Sequence, residues 1–234
     1  MTTSHKEEFQ RSIVIVTAPS GTGKTTLTRR LIKETPDLSF SVSVTTRPMR
    51  KGETDGEHYW FVNRDTFLQK EKNGDLIEWA EVFGNFYGTT KQEIKRIEAL
   101  GHKALLEIDV QGAKNVRSQY PNSCSIFIMP PSLKDLWQRL SQRGTDTLEV
   151  RMCRLYTAGK ELAEGKAFQH FIINDNLEKA FSELKNLVMY GQAASLTYEQ
   201  GLKHCAALIE EFNHLDWLPE SLTREGDDDM RKHE

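Results

Sequence analysis

Residues 18–25, Ala18-Pro19-Ser20-Gly21-Thr22-Gly23-Lys24-Thr25, constrain the fold more than any other stretch of this chain. They follow an apolar run, Ile13-Val14-Ile15-Val16-Thr17, and lead into Thr26-Leu27-Thr28-Arg29-Arg30-Leu31-Ile32, which reads as the start of a helix. The pattern predicts a buried strand, a small-residue loop and a helix in direct succession. Gly21 and Gly23 give the loop backbone angles that other residues resist, and they let main-chain N–H groups approach an anion closely. Those N–H groups and the helix N-terminus form a positive concavity around a polyphosphate. Lys24 adds a point charge at the terminal phosphates, and the Thr25 hydroxyl is placed to hold Mg²⁺. This is the sequence form of a phosphate-binding P-loop. The usual pattern opens with glycine; here Ala18 stands in that position and is small enough to serve. An ordinary glycine-rich turn is the bland alternative, and the flanking strand and helix weigh against it.

With 234 residues the chain is long enough for one large α/β domain carrying a small insertion. Its net charge of −3 argues against a general nucleic-acid binder, so any anion site must be built from local clusters. Cys124, Cys153 and Cys205 are far apart and form no CxxC pair, which suggests a reducing compartment and no metal framework. The histidines are scattered without zinc-like spacing. There is no apolar run of membrane-spanning length and no signal-peptide pattern at the start. A cytoplasmic protein without membrane or nucleic-acid partners is the expectation.

Four apolar runs are predicted strands, 12–17, 103–109, 123–129 and 170–174, with 39–45 a weaker fifth. Helical patterns separate them, the signature of a parallel sheet covered on both faces. Thr90-Lys91-Gln92-Glu93 predicts a capping box, and Ser132 with Asp135 starts another helix. Leu177, Ala180, Phe181, Leu184, Leu187 and Val188 form a core stripe. Residues 42–90 read differently. Aromatic-rich strand candidates at 58–62, 76–82 and 85–88, punctuated by Gly52, Asp55-Gly56, Asn73-Gly74 and Gly84, predict a small, mostly antiparallel insertion. Residues 139–165 are strongly charged and helical. Residues 190–218 hold a further amphipathic stretch, read as capping the domain in preference to self-association, and the acidic end reads as disordered.

A second anion site is suggested by Ser43-Val44-Thr45-Thr46-Arg47-Pro48-Met49-Arg50, Gly52-Glu53 and Gly56-Glu57-His58-Tyr59. Arg47 and Arg50 can converge on one phosphate with bidentate geometry that lysine does not offer. Tyr59 and Tyr87 can add phenolic hydrogen bonds. Taken alone, the same arginines serve equally well as a solvated face. Taken alone, Glu78 reads as an exposed strand carboxylate.

The run Thr45-Thr46-Arg47-Pro48-x-Arg50-x-Gly52-Glu53, the segment Gly56-x-x-Tyr59-x-Phe61-Val62 and the stretch 77–89 resemble guanylate kinase. So do Glu107-Ile108-Asp109-Val110-Gln111-Gly112-Ala113, Phe127-Ile128-Met129-Pro130-Pro131-Ser132 and Arg139-x-x-x-Arg143-Gly144. The resemblance runs from about Ile13 to about Val188 with its motifs in the family's order. It implies phosphoryl transfer from ATP to GMP with Mg²⁺. It places ATP on Ala18, Pro19, Ser20, Gly21, Thr22, Gly23, Lys24, Thr25 and Thr26, with Asn174 beside the adenine; for Asn174-Asp175 a plain helix start is an equal alternative. It places the GMP phosphate on Arg47, Arg50, Tyr59 and Tyr87, and the guanine on Ser43, Glu78, Thr89 and Asp109. Thr25 and Asp109 would serve Mg²⁺. Lys24, Arg47, Arg139, Arg143 and Arg154 would act in the transfer, the last three as lid arginines; Arg151 is read as surface. Two departures are Thr89 and Glu107, where the family often carries serine and aspartate.

The fold class expected is α/β: a P-loop parallel sheet flanked by helices, with a GMP-binding insertion and a helical lid. The expected division is a loose N-terminus at 1–11, a kinase domain at 12–190 (core 12–41, 91–138 and 166–190; insertion 42–90; lid 139–165) and an extension at 191–234. Two rivals remain at this level, a non-catalytic binding module of the same fold and a P-loop kinase acting on a sugar phosphate. The presence of Lys24 and the lid arginines weighs against the first, and the guanine set against the second.

Overall fold

The apolar run at 13–17 becomes β1 (Ile13–Thr17), buried at every position. A strand apolar on both faces belongs in the interior of a parallel sheet. In the computed structural model, which describes residues 13–82, 84–142 and 146–215, β1 is the middle strand of five. Arg143, the N-terminal segment and the acidic end lie outside the described residues.

After β1 the chain runs through α1 (Lys24–Glu34), β2 (Leu38–Phe40), β3 (Val44–Thr45), β4 (Trp60–Phe61) and α2 (Arg64–Lys72). Next come β5 (Leu76–Val82), β6 (Asn85–Thr90), α3 (Lys91–Ala99), β7 (Lys103–Glu107), α4 (Val110–Gln119) and β8 (Cys124–Met129). The described chain closes with α5 (Leu133–Gln142), α6 (Leu148–Ala163), a 3₁₀ turn, β9 (His170–Ile173), α7 (Leu177–Tyr190) and α8 (Tyr198–Asn213). The main sheet has the order β2-β7-β1-β8-β9, with β7 parallel to both β1 and β2. A second sheet, β4-β3-β6-β5, is antiparallel except for β3 with β4. The α/β class and the mostly antiparallel insertion expected from the sequence are both present.

The weak strand expected at 39–45 is two strands in two sheets. The Ser41 N–H still bonds to the Leu105 carbonyl (2.9 Å), but the Val42 N–H is taken by the Glu93 carboxylate (3.0 Å). A side chain thus replaces the ladder partner, and the chain leaves the main sheet there. Thr90 caps α3 as expected, accepting from Glu93 N–H (3.1 Å), while the Glu93 carboxylate turns to Val42 and Arg96. The expected strand at 58–62 shortens to β4, and α2 is an unexpected helix, started by Asn63 accepting from Thr66 N–H (2.7 Å). Phe67 of α2 joins Val44, Leu76 and Phe86 in the core of the second sheet. In the α7 stripe all but Leu177, the helix's first residue, are buried.

By packing, the described residues form two compact units: 13–17 with 28–126, and 18–27 with 127–215. In the second, Phe127 stacks on Phe168 (4.8 Å) and Phe212 of α8 meets Tyr156 of α6 edge-on (5.4 Å). Each half of the candidate site is described within one unit.

Candidate active site

The loop half belongs to the second unit. Thr22 N–H bonds back to the Pro19 carbonyl (3.1 Å), so the chain turns sharply before α1. Gly21 and Gly23 have φ of +90° and +97°, where a side chain is strained. Space demands glycine as well: a Cβ on Gly21 would lie 2.8 Å from Leu140, and one on Gly23 would lie 2.6 Å from the Asn174 amide nitrogen. Helix α1 opens at Lys24, and its first 5→1 bond runs from Leu27 N–H to the Gly23 carbonyl (3.2 Å). The N–H groups of Lys24, Thr25 and Thr26 therefore lie in the first turn, the place where helices leave donors for an anion.

Asn174 and Arg139 brace this loop from outside. The Asn174 amide donates to the Thr22 carbonyl (2.7 Å), Arg139 Nη1 donates to the same oxygen (3.3 Å), and Arg139 Nη2 donates to the Asn174 carbonyl (2.8 Å). Asn174 is buried, and the start of α7 falls to Asn176, whose side chain accepts from Lys179 N–H (3.1 Å). Of the pair Asn174-Asp175, read also as a plain helix start, Asp175 serves that end of α7, accepting from Asn176 N–H (2.7 Å) and pairing with Lys179 (3.2 Å), while Asn174 turns to the loop. Arg154 reaches Ser20 Oγ (3.4 Å) and pairs with Asp146 (3.5 Å). Arg151, read as surface, is half-buried; it donates to Ser141 (3.1 Å) and lies over the Trp137 ring (5.4 Å).

The carboxylate half belongs to the first unit and is set by strand register. Glu78 of β5 faces Thr89 of β6 across a register shift between Leu76 and Glu78. Such a bulge re-aims side chains. Thr89 Oγ1 donates to Glu78 Oε1 (2.6 Å), and Glu78 is only 7% exposed. Burial pushes the Glu78 carboxyl up to about 7; the Thr89 hydrogen bond opposes this, and the nearby Asp109 charge adds to it. Asp109 caps α4, its Oδ1 accepting from Gly112 N–H (2.7 Å). The loop before it is tied to β1 by Thr17 Oγ1 donating to the Ile108 carbonyl (2.9 Å). Glu107, the second departure, accepts from Thr28 (2.7 Å). Ser43 is half-buried just ahead of β3, and its carbonyl accepts from Trp60 N–H (2.9 Å).

Beside this lies the arginine cluster. Thr45 pairs with Tyr87 across β3 and β6, which sets Arg47 two residues beyond the strand. Tyr59 meets Tyr87 and Phe61 edge-on, each at 5.8 Å, and the Arg47 guanidinium stands 5.4 Å from the Tyr59 ring centre. Glu53, quoted in the sequence motif without a role, grips Arg47 at both Nη atoms (2.7 and 3.1 Å) and accepts from Arg50 N–H (2.7 Å). Those bonds hold the Glu53 carboxyl down to about 2 and raise Arg47 further. The Arg50 side chain is exposed, so the structure gathers Arg47, Tyr59 and Tyr87 but leaves Arg50 at the rim.

Fold and loop together place the chain among the α/β kinases. It belongs to the guanylate kinase family, whose sequence model, described as "Guanylate kinase", matches residues 10–190. Guanylate kinase of Symbiobacterium thermophilum is 41% identical over 198 residues, covering 85% of this chain and 91% of that protein. That of Acinetobacter baylyi is 44% identical, covering 85% and 95%. The crystal structure of guanylate kinase from Anaplasma phagocytophilum matches with a TM-score of 0.61 and 35% identity, covering 78% of this chain and 87% of that one.

Proposed function

We propose that this chain transfers the γ-phosphoryl group of ATP to GMP, giving ADP and GDP. The observation that carries this reading is the buried Glu78 carboxylate with Thr89 on one oxygen and Asp109 nearby. Guanine presents adjacent N1–H and N2–H₂ donors, which a carboxylate accepts together; adenine sets its N1 lone pair against the same group. A buried polar site rejects the mismatched base by leaving its own groups unpaired. Ser43 would donate to O6. Arg47, Arg50, Tyr59 and Tyr87 would take the GMP phosphate, and residues 18–26 the phosphates of ATP.

The acceptor phosphate is already anionic, so no general base is needed. The chain's task is to hold donor and acceptor in line and to compensate charge. Lys24 would do so at the γ-phosphate, Arg47 at the acceptor, and Arg139, Arg143 and Arg154 as arginines of the lid, 139–165. Arg139 is held meanwhile by loop and strand-end carbonyls, a position that also keeps the loop in shape. The donors proposed for Mg²⁺, the Thr25 hydroxyl and the Asp109 carboxylate, are hard oxygens and few, which suits an ion that keeps its waters and binds mainly through substrate phosphates. Among the described residues no group of three histidine, cysteine or acidic residues is arranged to hold a metal ion by itself, and none is required for that mode. When bound, Mg²⁺ supplies charge neutralisation on the transferred group.

No helix among the described residues is long and apolar enough to cross a membrane, and a cytoplasmic site of action fits this reading. The test is a coupled assay with GMP, AMP, CMP and UMP as acceptors. Phosphorylation of GMP far above the other three is expected. A folded protein that phosphorylates none of them would return the binding-module reading, and equal use of several would remove Glu78 as selector.

A further inference from the structure

Gly112 occupies the first turn of α4, inside a helix and buried. Glycine is a poorer helix former than alanine. Its φ does not lie in the left-handed region, so backbone conformation does not demand it. Space does. A Cβ at this position would stand 2.9 Å from Glu78 Oε2, 3.4 Å from Glu78 Cδ and 3.3 Å from Asp109 Oδ1. Glu78 has little room to yield, because it is buried and its other oxygen is held by Thr89 at 2.6 Å. Gly112 N–H meanwhile fixes Asp109 Oδ1 at 2.7 Å. One residue therefore touches both carboxylates, with its amide on one side and its missing side chain on the other.

We infer that Gly112 is a positioning residue for purine selection: the gap it leaves lets Glu78 keep Oε2 directed at the base while Oε1 stays on Thr89. This rests on the reading of Glu78 as the guanine acceptor. Adding a methyl group turns Glu78 off Thr89 or displaces Asp109. The 2-amino group of guanine, which needs the second carboxylate oxygen, then loses most. Hypoxanthine keeps N1–H but lacks that amino group, so inosine monophosphate reports the difference.

The experiment is steady-state kinetics of Gly112→Ala with GMP, inosine monophosphate and ATP, beside its melting temperature. The expected result is a fall of about tenfold in kcat/KM for GMP, the loss of one good hydrogen bond. The preference for GMP over inosine monophosphate should shrink with it, KM for ATP should be unchanged, and the melting temperature should fall, because the buried Glu78–Thr89 hydrogen bond is strained or lost. Repeating the substitution in a Glu78→Asp background, where the shorter side chain makes room, should largely remove its effect. Wild-type GMP kinetics in Gly112→Ala, with Glu78→Gln impaired, overturns this inference alone. Wild-type GMP kinetics in Glu78→Gln overturns the underlying assignment. If Gly112→Ala melts lower by the same amount in both backgrounds, the space serves something other than the carboxylate and the inference falls.

Discussion

The glycine loop and the carboxylate cluster are built on opposite principles. The loop presents main-chain N–H groups, and its shape is imposed by eight consecutive residues with two glycines at positive φ. Its braces, Arg139 and Asn174, hold a carbonyl and so act on the backbone as well. The cluster presents side chains delivered from β5, β6 and the cap of α4, and strand register decides whether they meet. A backbone site recognises what every nucleoside triphosphate shares, whereas a side-chain site can distinguish one base from another.

The sharpest way to break this contrast is Lys24→Ala. It removes a single cation from a half-site whose scaffold is main chain, so the fold should survive. Turnover should fall on the order of 10³-fold, the scale seen when one charge-stabilising group is lost from a transition state. Steady-state assays with circular dichroism as the fold control check it. Activity within a few-fold of wild type would place the phosphoryl donor elsewhere.

On the other side, Glu78→Gln keeps shape and burial but swaps an acceptor oxygen for an NH₂ donor facing guanine donors. GMP affinity should fall about 100-fold and ATP affinity should not change, since a mispaired buried donor costs its full desolvation. Calorimetric titration of each nucleotide measures both. Equal losses would mean that the two half-sites are not separable in the way their construction indicates.

How much of this could be read from the chain follows the same division. The loop is local, so the turn at Gly21 and Gly23 and the helix that opens at Lys24 are legible from spacing alone, and the buried β1 beside them follows from its four apolar residues and Thr17. Glu78 is different. Its partner Thr89 is 11 positions away across a bulged hairpin, and no periodicity in either strand announces the pair. Only the resemblance in the stretch 77–89 points to it. Glu53 stands in a recognisable motif, but its role is not legible there, because its grip on Arg47 depends on a turn in which Glu53 N–H bonds to the Arg50 carbonyl (3.1 Å). The brace from Arg139 to Thr22 spans 117 positions, and the sequence presents Arg139 only as a mobile cation. The split at 39–45 was hidden for a similar reason, since a carboxylate from Glu93 competes for Val42 N–H.

Glu53 extends the comparison to the phosphate end of the side-chain half. Glu53→Gln should raise KM for GMP about tenfold and leave KM for ATP alone, because a bidentate charged pair that fixes the guanidinium becomes a weaker neutral contact. Tighter GMP binding in this variant would show that Glu53 competes with the substrate for Arg47 rather than organising it.

The smallest effect, and the most specific, is in pH. With its carboxyl raised from 4.5 to about 7, the folded protein holds a proton on Glu78 that the unfolded chain releases near 4.5. The contribution of Glu78 to stability is therefore fully present below about 4.5 and is lost as pH rises through about 7. Guanine donors favour the ionised form, so binding moves in the opposite direction: KM for GMP should fall several-fold between about pH 6 and about pH 8, while the melting temperature of the free protein declines over the same window. The second ionisation of the GMP phosphate, near about 6, contributes to the first trend and not to the second. Glu78→Gln separates the two, since it keeps the phosphate and removes the carboxyl. In that variant the melting temperature should lose its dependence on this group, and the remaining pH trend in KM should be that of the phosphate alone. An unchanged pair of profiles would assign the titration to some other group and leave Glu78 ionised throughout.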